Sequence, residues 1–238
     1  MRRTGMGKWT LLAMLCALLA GCGADSAANV PPTQTQAAAV KPSSKSSEPG
    51  SSTSITIRSP MTLSNNLLPG TLRKDLYLRL QLVRGTYSEN WAPGAYRGTL
   101  YEGYFQLVIA DSEGRILSAT PLDKLFPDPL IFNRHFSLTF DDYNNDGLPD
   151  FTLGQRADSN GGFYKMLTFA EDLTIRELPV RGSEFLYISK GEEGGSSYSV
   201  KLRKPKAGFV TFSSYNRDQG NYSDETYQWK NGEFLLVP

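Results

Sequence analysis

Apolar and polar residues alternate along most of the chain beyond residue 55, with the two-residue period of strands. Segment 76–83 (Leu-Tyr-Leu-Arg-Leu-Gln-Leu-Val) carries leucine at every second position, and Gly85 is expected to end it. Residues 101–110 read as a second strand. The turn Asp111-Ser112-Glu113-Gly114 and a third strand at 115–119 complete a hairpin. Pro121, Pro127 and Pro129 then interrupt the chain, and only 122–126 suits a helical turn. Short apolar runs recur at 163–169, 174–178, 185–189, 197–202 and 209–213, while Glu192-Glu193-Gly194-Gly195 reads as a solvated turn. A terminal hairpin is predicted from 222–229 and 234–237 around Lys230-Asn231-Gly232-Glu233, because Asn-Gly accepts the positive φ of a tight hairpin turn. Strands this short, punctuated by Gly, Asn and Pro, indicate an all-β domain over residues 55–238.

One stretch carries more chemistry than a turn requires. From Asp142 the chain spells D-x-N-x-D-G-x-x-D, with side-chain oxygens on Asp142, Asn144, Asp146 and Asp150. A hard cation such as Ca²⁺ takes about six to eight oxygen ligands, and a loop winding round it presents alternate residues. Gly147 stands where such a loop must turn sharply, and Leu148 can contribute only its backbone carbonyl. Asn145-Asp146-Gly147 alone would be explained by an ordinary hairpin turn, but a plain turn does not call for Asp142, Asn144 and Asp150 as well. Both flanks, 136–140 and 151–154, have strand patterning, and the twelfth loop position is Leu153 rather than the glutamate of an EF-hand. Residues 140–153 thus resemble the FG-GAP/VCBS repeat, the calcium-loop hairpin of integrin-type β-propellers and many bacterial surface proteins. The resemblance implies Ca²⁺ ligands at Asp142, Asn144, Asp146, Leu148 (backbone) and Asp150.

That resemblance bears on the fold. It implies antiparallel hairpins in blade-like sheets, a small or incomplete propeller-like assembly. A full propeller of typically 4–8 blades, at about 40–45 residues each, scarcely fits the roughly 184 residues present. A β-sandwich is the competing arrangement.

The amino terminus has a different composition. Arg2, Arg3 and Lys8 precede an apolar run of twelve residues, 9–20, too short to span about 30 Å of hydrocarbon as a helix. The pattern is that of a signal peptide over 1–21. It ends in Leu19-Ala20-Gly21-Cys22, which resembles the bacterial lipobox, and the resemblance implies cleavage before Cys22 and its lipidation. Two or three acyl chains make a stable membrane anchor where one is marginal. Residues 22–54 are Ala, Ser, Pro, Thr, Gln and Lys with few large apolar side chains, a composition expected to form a disordered tether. The chain is therefore expected at the cell membrane, lipid-anchored on the extracytoplasmic side.

Composition narrows the function. Cys16 falls in the signal segment and Cys22 in the lipobox, so no thiol is left for catalysis, zinc or a disulfide. Without 1–21 the chain keeps 22 basic and 24 acidic residues, and it has no basic patch for nucleic acid. His135 is the only histidine, and no G-x-S-x-G elbow accompanies it. Carboxylate pairs such as Glu184 with Glu192, or Asp123 with Asp128, leave room for a hydrolase acting on glycan or peptide. The aromatic residues favour a binding module instead. Tyr87, Trp91, Tyr96, Tyr101 and Tyr104 cluster, as do Tyr215, Tyr222, Tyr227 and Trp229, and strand packing accounts for most of them. Trp91 lies in the Pro/Gly segment Trp91-Ala92-Pro93-Gly94, where packing is a weaker explanation, and it is the candidate contact for a glycan or protein partner.

Overall fold

The computed structural model describes residues 54–70, 73–94 and 97–238. The signal segment, Cys22 and nearly all of the tether lie outside the described residues, as does Tyr96. What is described is all-β, in several antiparallel sheets of which none closes into a barrel.

The first sheet is built on one long hairpin, β3 (Tyr77–Asn90) with β4 (Gly98–Ala110). Each of these strands is long enough to hold two partners end to end. β1 (Ser54–Ile57) and β2 (Met61–Leu67) pair with successive halves of β3, and β6 (Leu130–Phe132) and β5 (Ile116–Pro121) with successive halves of β4. Gly85 does not end the strand as expected. It stands opposite Gly103, next to a register shift between Leu82 and Arg84, and the two backbones approach so closely that a Cβ on Gly85 would sit 2.0 Å from the Glu102 carbonyl oxygen. Glycine here permits the strand to continue through a close crossing rather than stopping it. Residues 122–126 do form one helical turn, with the Phe126 amide on the Leu122 carbonyl at 2.7 Å.

The second sheet is a meander in the order β10 (Ile175–Glu177), β9 (Gly162–Phe169), β8 (Asp150–Arg156), β7 (Phe140–Asp141), with β11 (Leu186–Ile188) also on β9. A four-stranded antiparallel meander is the blade-like unit anticipated. The strand expected at 136–140 is shorter than predicted, because the Leu138 and Thr139 amides are taken by side chains, Asn66 Oδ1 and Ser199 Oγ, instead of by a neighbouring strand. β12 (Glu192–Ser196) and β13 (Ser199–Lys201) form a separate hairpin, so Glu192-Glu193-Gly194-Gly195 is a strand rather than a turn. The third sheet is β14 (Phe209–Asn216), β15 (Asn221–Lys230) and β16 (Glu233–Leu236). Asn231 and Gly232 at its last turn have φ of 55° and 84°, as an Asn-Gly hairpin demands.

Two apolar cores result. Leu78, Leu80, Leu82, Phe105 and Leu107 of the first sheet pack on Phe151, Leu153, Leu167 and Phe169 of the second. The opposite face of the second sheet gives Tyr164 and Met166 to a cluster with Val210, Phe212, Tyr227 and Phe234 of the third. Lying between the other two, the second sheet is buried on both faces, and this is why β8 is buried from Asp150 through Gly154 without alternation.

Candidate metal centre

The loop between β7 and β8 is held at its base by the pairs Phe140↔Phe151 and Asp141↔Asp150. Its side chains fold inward onto its own amides. The Asp142 carboxylate accepts the Asp146 amide at 3.0 Å and the Gly147 amide at 3.1 Å. Asn144 Oδ1 also accepts the Asp146 amide at 3.0 Å, and Asn144 Nδ2 donates to Asp146 Oδ2 at 2.7 Å. Asp146 Oδ1 accepts the Leu148 amide at 2.8 Å. Asn145 and Gly147 carry positive φ, 61° and 86°. A Cβ on Gly147 would meet open space, so backbone conformation, not room, is what glycine supplies there.

Asp150 is the unusual member. It opens a strand of the doubly covered sheet and is fully buried. Oδ2 accepts the Tyr143 amide at 2.7 Å and the Asn144 amide at 3.2 Å. Oδ1 has no hydrogen-bond partner, the only such buried side-chain atom among the described residues. The hydroxyl of Thr168, its cross-strand neighbour, lies 3.4 Å from the Phe169 carbonyl and is also near enough to Asp150 to favour its charged form. Burial pushes the Asp150 carboxyl up to about 7, outweighing the Thr168 hydroxyl and the Asn144 and Tyr143 amides that favour its charged form.

Two residues that sequence reasoning did not single out anchor the loop. Tyr143, at its second position, is wholly buried in the core between the second and third sheets, where its hydroxyl accepts the Leu202 amide at 3.1 Å. That burial raises its phenol far above the ordinary range. Asp141 binds Lys204 Nζ at 2.8 Å, fixing the end of β7. An aromatic residue between two polar loop positions, Asp142 and Asn144, was the available sign of such an anchor.

The donor set of Asp142, Asn144, Asp146, Leu148 and Asp150 is all oxygen, and one buried carboxylate oxygen in it is unpartnered. Both are what a hard divalent cation selects. Among the described residues no three His, Cys, Asp or Glu side chains are gathered for a metal, since the loop oxygens are turned to loop amides. Asn144, Asp146 and Leu148 face an open crevice of about 510 Å³ shared with Glu171, Asp172 and Arg176, the last of which pairs with Asp172 at 3.7 Å.

The other sequence candidates are separate from this loop. Trp91 is 63% exposed beyond the end of β3, its indole N–H on Glu89 Oε2 at 3.2 Å. His135 Nδ1 lies 3.1 Å from the Leu63 carbonyl oxygen, and its ring meets Tyr101 edge-on. Tyr227 is core and Trp229 packs against it, as strand packing predicts, whereas Tyr222 is exposed under the Lys190 ammonium. Of the carboxylate pairs, the structure recombines the members: Asp128 and Glu184 line one crevice. The chain matches no protein-family model, no curated protein and no solved structure.

Proposed function

We propose that this chain is an exported lipoprotein, held to the membrane through Cys22, whose domain is a non-enzymatic binding module stabilised by Ca²⁺. The observation that carries the calcium reading is the buried Asp150 carboxylate, which closes a D-x-N-x-D-G-x-x-D loop with one oxygen that has no close hydrogen-bond partner among the described residues. Asp142, Asn144, Asp146, the Leu148 carbonyl and Asp150 would hold the ion. It would supply positive charge to three carboxylates, one of them in the interior, and so lock the hairpin between β7 and β8. The role is structural. The lipid anchor and export rest on the Leu19-Ala20-Gly21-Cys22 sequence, and the exposed Trp91 supports a surface that meets a glycan or protein partner.

The test is a thermal melt of the full chain titrated with CaCl₂, then with chelator, with MgCl₂ in parallel. A ligand that binds only the folded state stabilises by RT ln(1 + [L]/Kd), so saturating Ca²⁺ should raise the melting temperature and Mg²⁺ should not. Asp146→Ala should lower the melt in Ca²⁺ and match the parent in chelator. Equal loss in both conditions removes the calcium site and leaves the loop an ordinary turn.

A further inference from the structure

We propose that the crevice between the first and second sheets binds a small quaternary ammonium cation. It lies between β6 and the β8–β9 face, encloses about 440 Å³, and is lined by Phe126, Phe163 and Phe185 with Asp128, Glu184 and Gln155 among its polar residues. Such a volume suits a small organic ligand. The inference rests on the reading of the domain as a binding module and does not involve the calcium loop.

Three observations point to this chemistry. The first is a run of aromatic rings that leads from the buried Phe126, through the half-buried Phe185, out to the surface. Phe126 lies 6.0 Å from Phe185, Phe185 is 6.5 Å from Phe163, and Phe163, although 49% exposed, stands 5.6 Å from Tyr187. Ring faces attract a cation within about 6 Å, best one that sheds its water easily.

The second is uncompensated negative charge. No hydrogen bond or ion pair engages Asp128 among the described residues, and the Glu184 carboxylate, 69% exposed, reaches a cation only at 4.0 Å. That cation is Lys165 Nζ, which is already held by both oxygens of Glu177 at 3.0 and 3.1 Å and by the Glu184 carbonyl at 3.1 Å. Lys165 lies 4.5 Å from the Phe185 centroid, so this lining already holds one cation against an aromatic ring.

The third is the scarcity of side-chain donors. Gln155 is the lining amide, and it is mostly engaged internally: Oε1 accepts the Ile131 amide at 2.8 Å and one Nε2 hydrogen goes to the Gly154 carbonyl at 3.0 Å, which leaves a single N–H. A sugar needs both donors and acceptors. A quaternary ammonium group needs neither, only rings and negative charge. The two rim carboxylates repel a phosphate, so a free cation is favoured over a phosphocholine headgroup.

The test is calorimetric or NMR titration of the full chain with choline, 3,3-dimethyl-1-butanol (its uncharged isostere), phosphocholine and chitotetraose, in CaCl₂ and again in EDTA. Choline should bind and the other three should not. Asp128→Asn and Glu184→Gln should each weaken choline about threefold, in keeping with exposed ion pairs, and Phe163→Leu by a similar factor through loss of a ring face. All three positions are exposed, and unchanged melting temperatures will show that the variants fold. Equal binding of the isostere, preference for phosphocholine or chitotetraose, indifference to the three substitutions, or no binding of choline each overturns the proposal. Choline binding that persists in EDTA without any calcium-induced melt shift keeps this inference while removing the calcium site. A calcium shift without choline binding does the reverse.

Discussion

The Tyr143 amide donates to Asp150 Oδ2 at 2.7 Å across the β7–β8 loop, so the residue that plugs the loop into one core also closes it on its most buried acid. The other oxygen of that acid is left over. Replacing Asp150 with Asn removes a carboxylate that is costly to bury and retains an acceptor for the Tyr143 amide. In chelator, Asp150→Asn should melt at or above the parent temperature; in Ca²⁺ it should fall below it. A crossing of the two curves is the expected signature, read by circular dichroism.

Tyr143→Phe tests the anchor separately from the ion. The ring stays and the Leu202 amide, bonded only to the lost hydroxyl in that position, is left in the interior. The expected loss is about 1–3 kcal/mol by urea denaturation, the same with and without Ca²⁺.

The Gly85–Gly103 crossing predicts a sharp contrast among glycines. A Cβ at Gly103 would lie 2.1 Å from the Arg84 carbonyl oxygen, on a residue whose φ is 150°. Gly103→Ala should cost roughly 3 kcal/mol or prevent folding, through overpacking and backbone strain together. Gly70→Ala, at a site open to solvent, should change stability little in the same denaturation series.

Asp158 carries the pH dependence of the β8–β9 loop. Its carboxylate accepts the Asn160 amide at 2.6 Å, the Tyr187 hydroxyl at 2.9 Å and the Arg217 guanidinium, and the amide bond first, then Arg217, holds it down to about 2. A carboxyl lowered on folding stabilises fully above its unfolded value near 3.8 and loses that contribution as pH falls through the folded value. The stability advantage of the parent over Asp158→Asn should therefore be constant above about pH 5 and vanish towards pH 2. A constant difference down to pH 2 would mean that the hydrogen bonds, and not the charge, do the holding.

Much of this architecture was legible where one face of a strand meets solvent. The leucines of β3 and the Asn-Gly turn after β15 announce themselves by alternation and by φ requirements. Alternation fails in the sheet covered twice: β8 is buried at five successive positions, so its sequence does not disclose which face holds Phe151 and which holds Asp150. β2 was missed because Asn66 and Ser64 point into the interior and bond each other at 2.8 Å, a polar pattern with a buried purpose. That the five loop residues share one β7–β8 loop was readable from the sequence. Their hydrogen-bond state was not, nor was the crevice, whose three phenylalanines and two acids come from segments far apart in sequence.

β9 gives Leu167 and Phe169 to one core and Tyr164 and Met166 to the other. The two cores accordingly share a backbone, and the described residues form one compact unit by contact. Neither core can be taken apart while the other keeps its strand. Calorimetry should accordingly show a single cooperative transition with equal calorimetric and van't Hoff enthalpies. Damage to either face of β9 will then be felt by the whole domain at once.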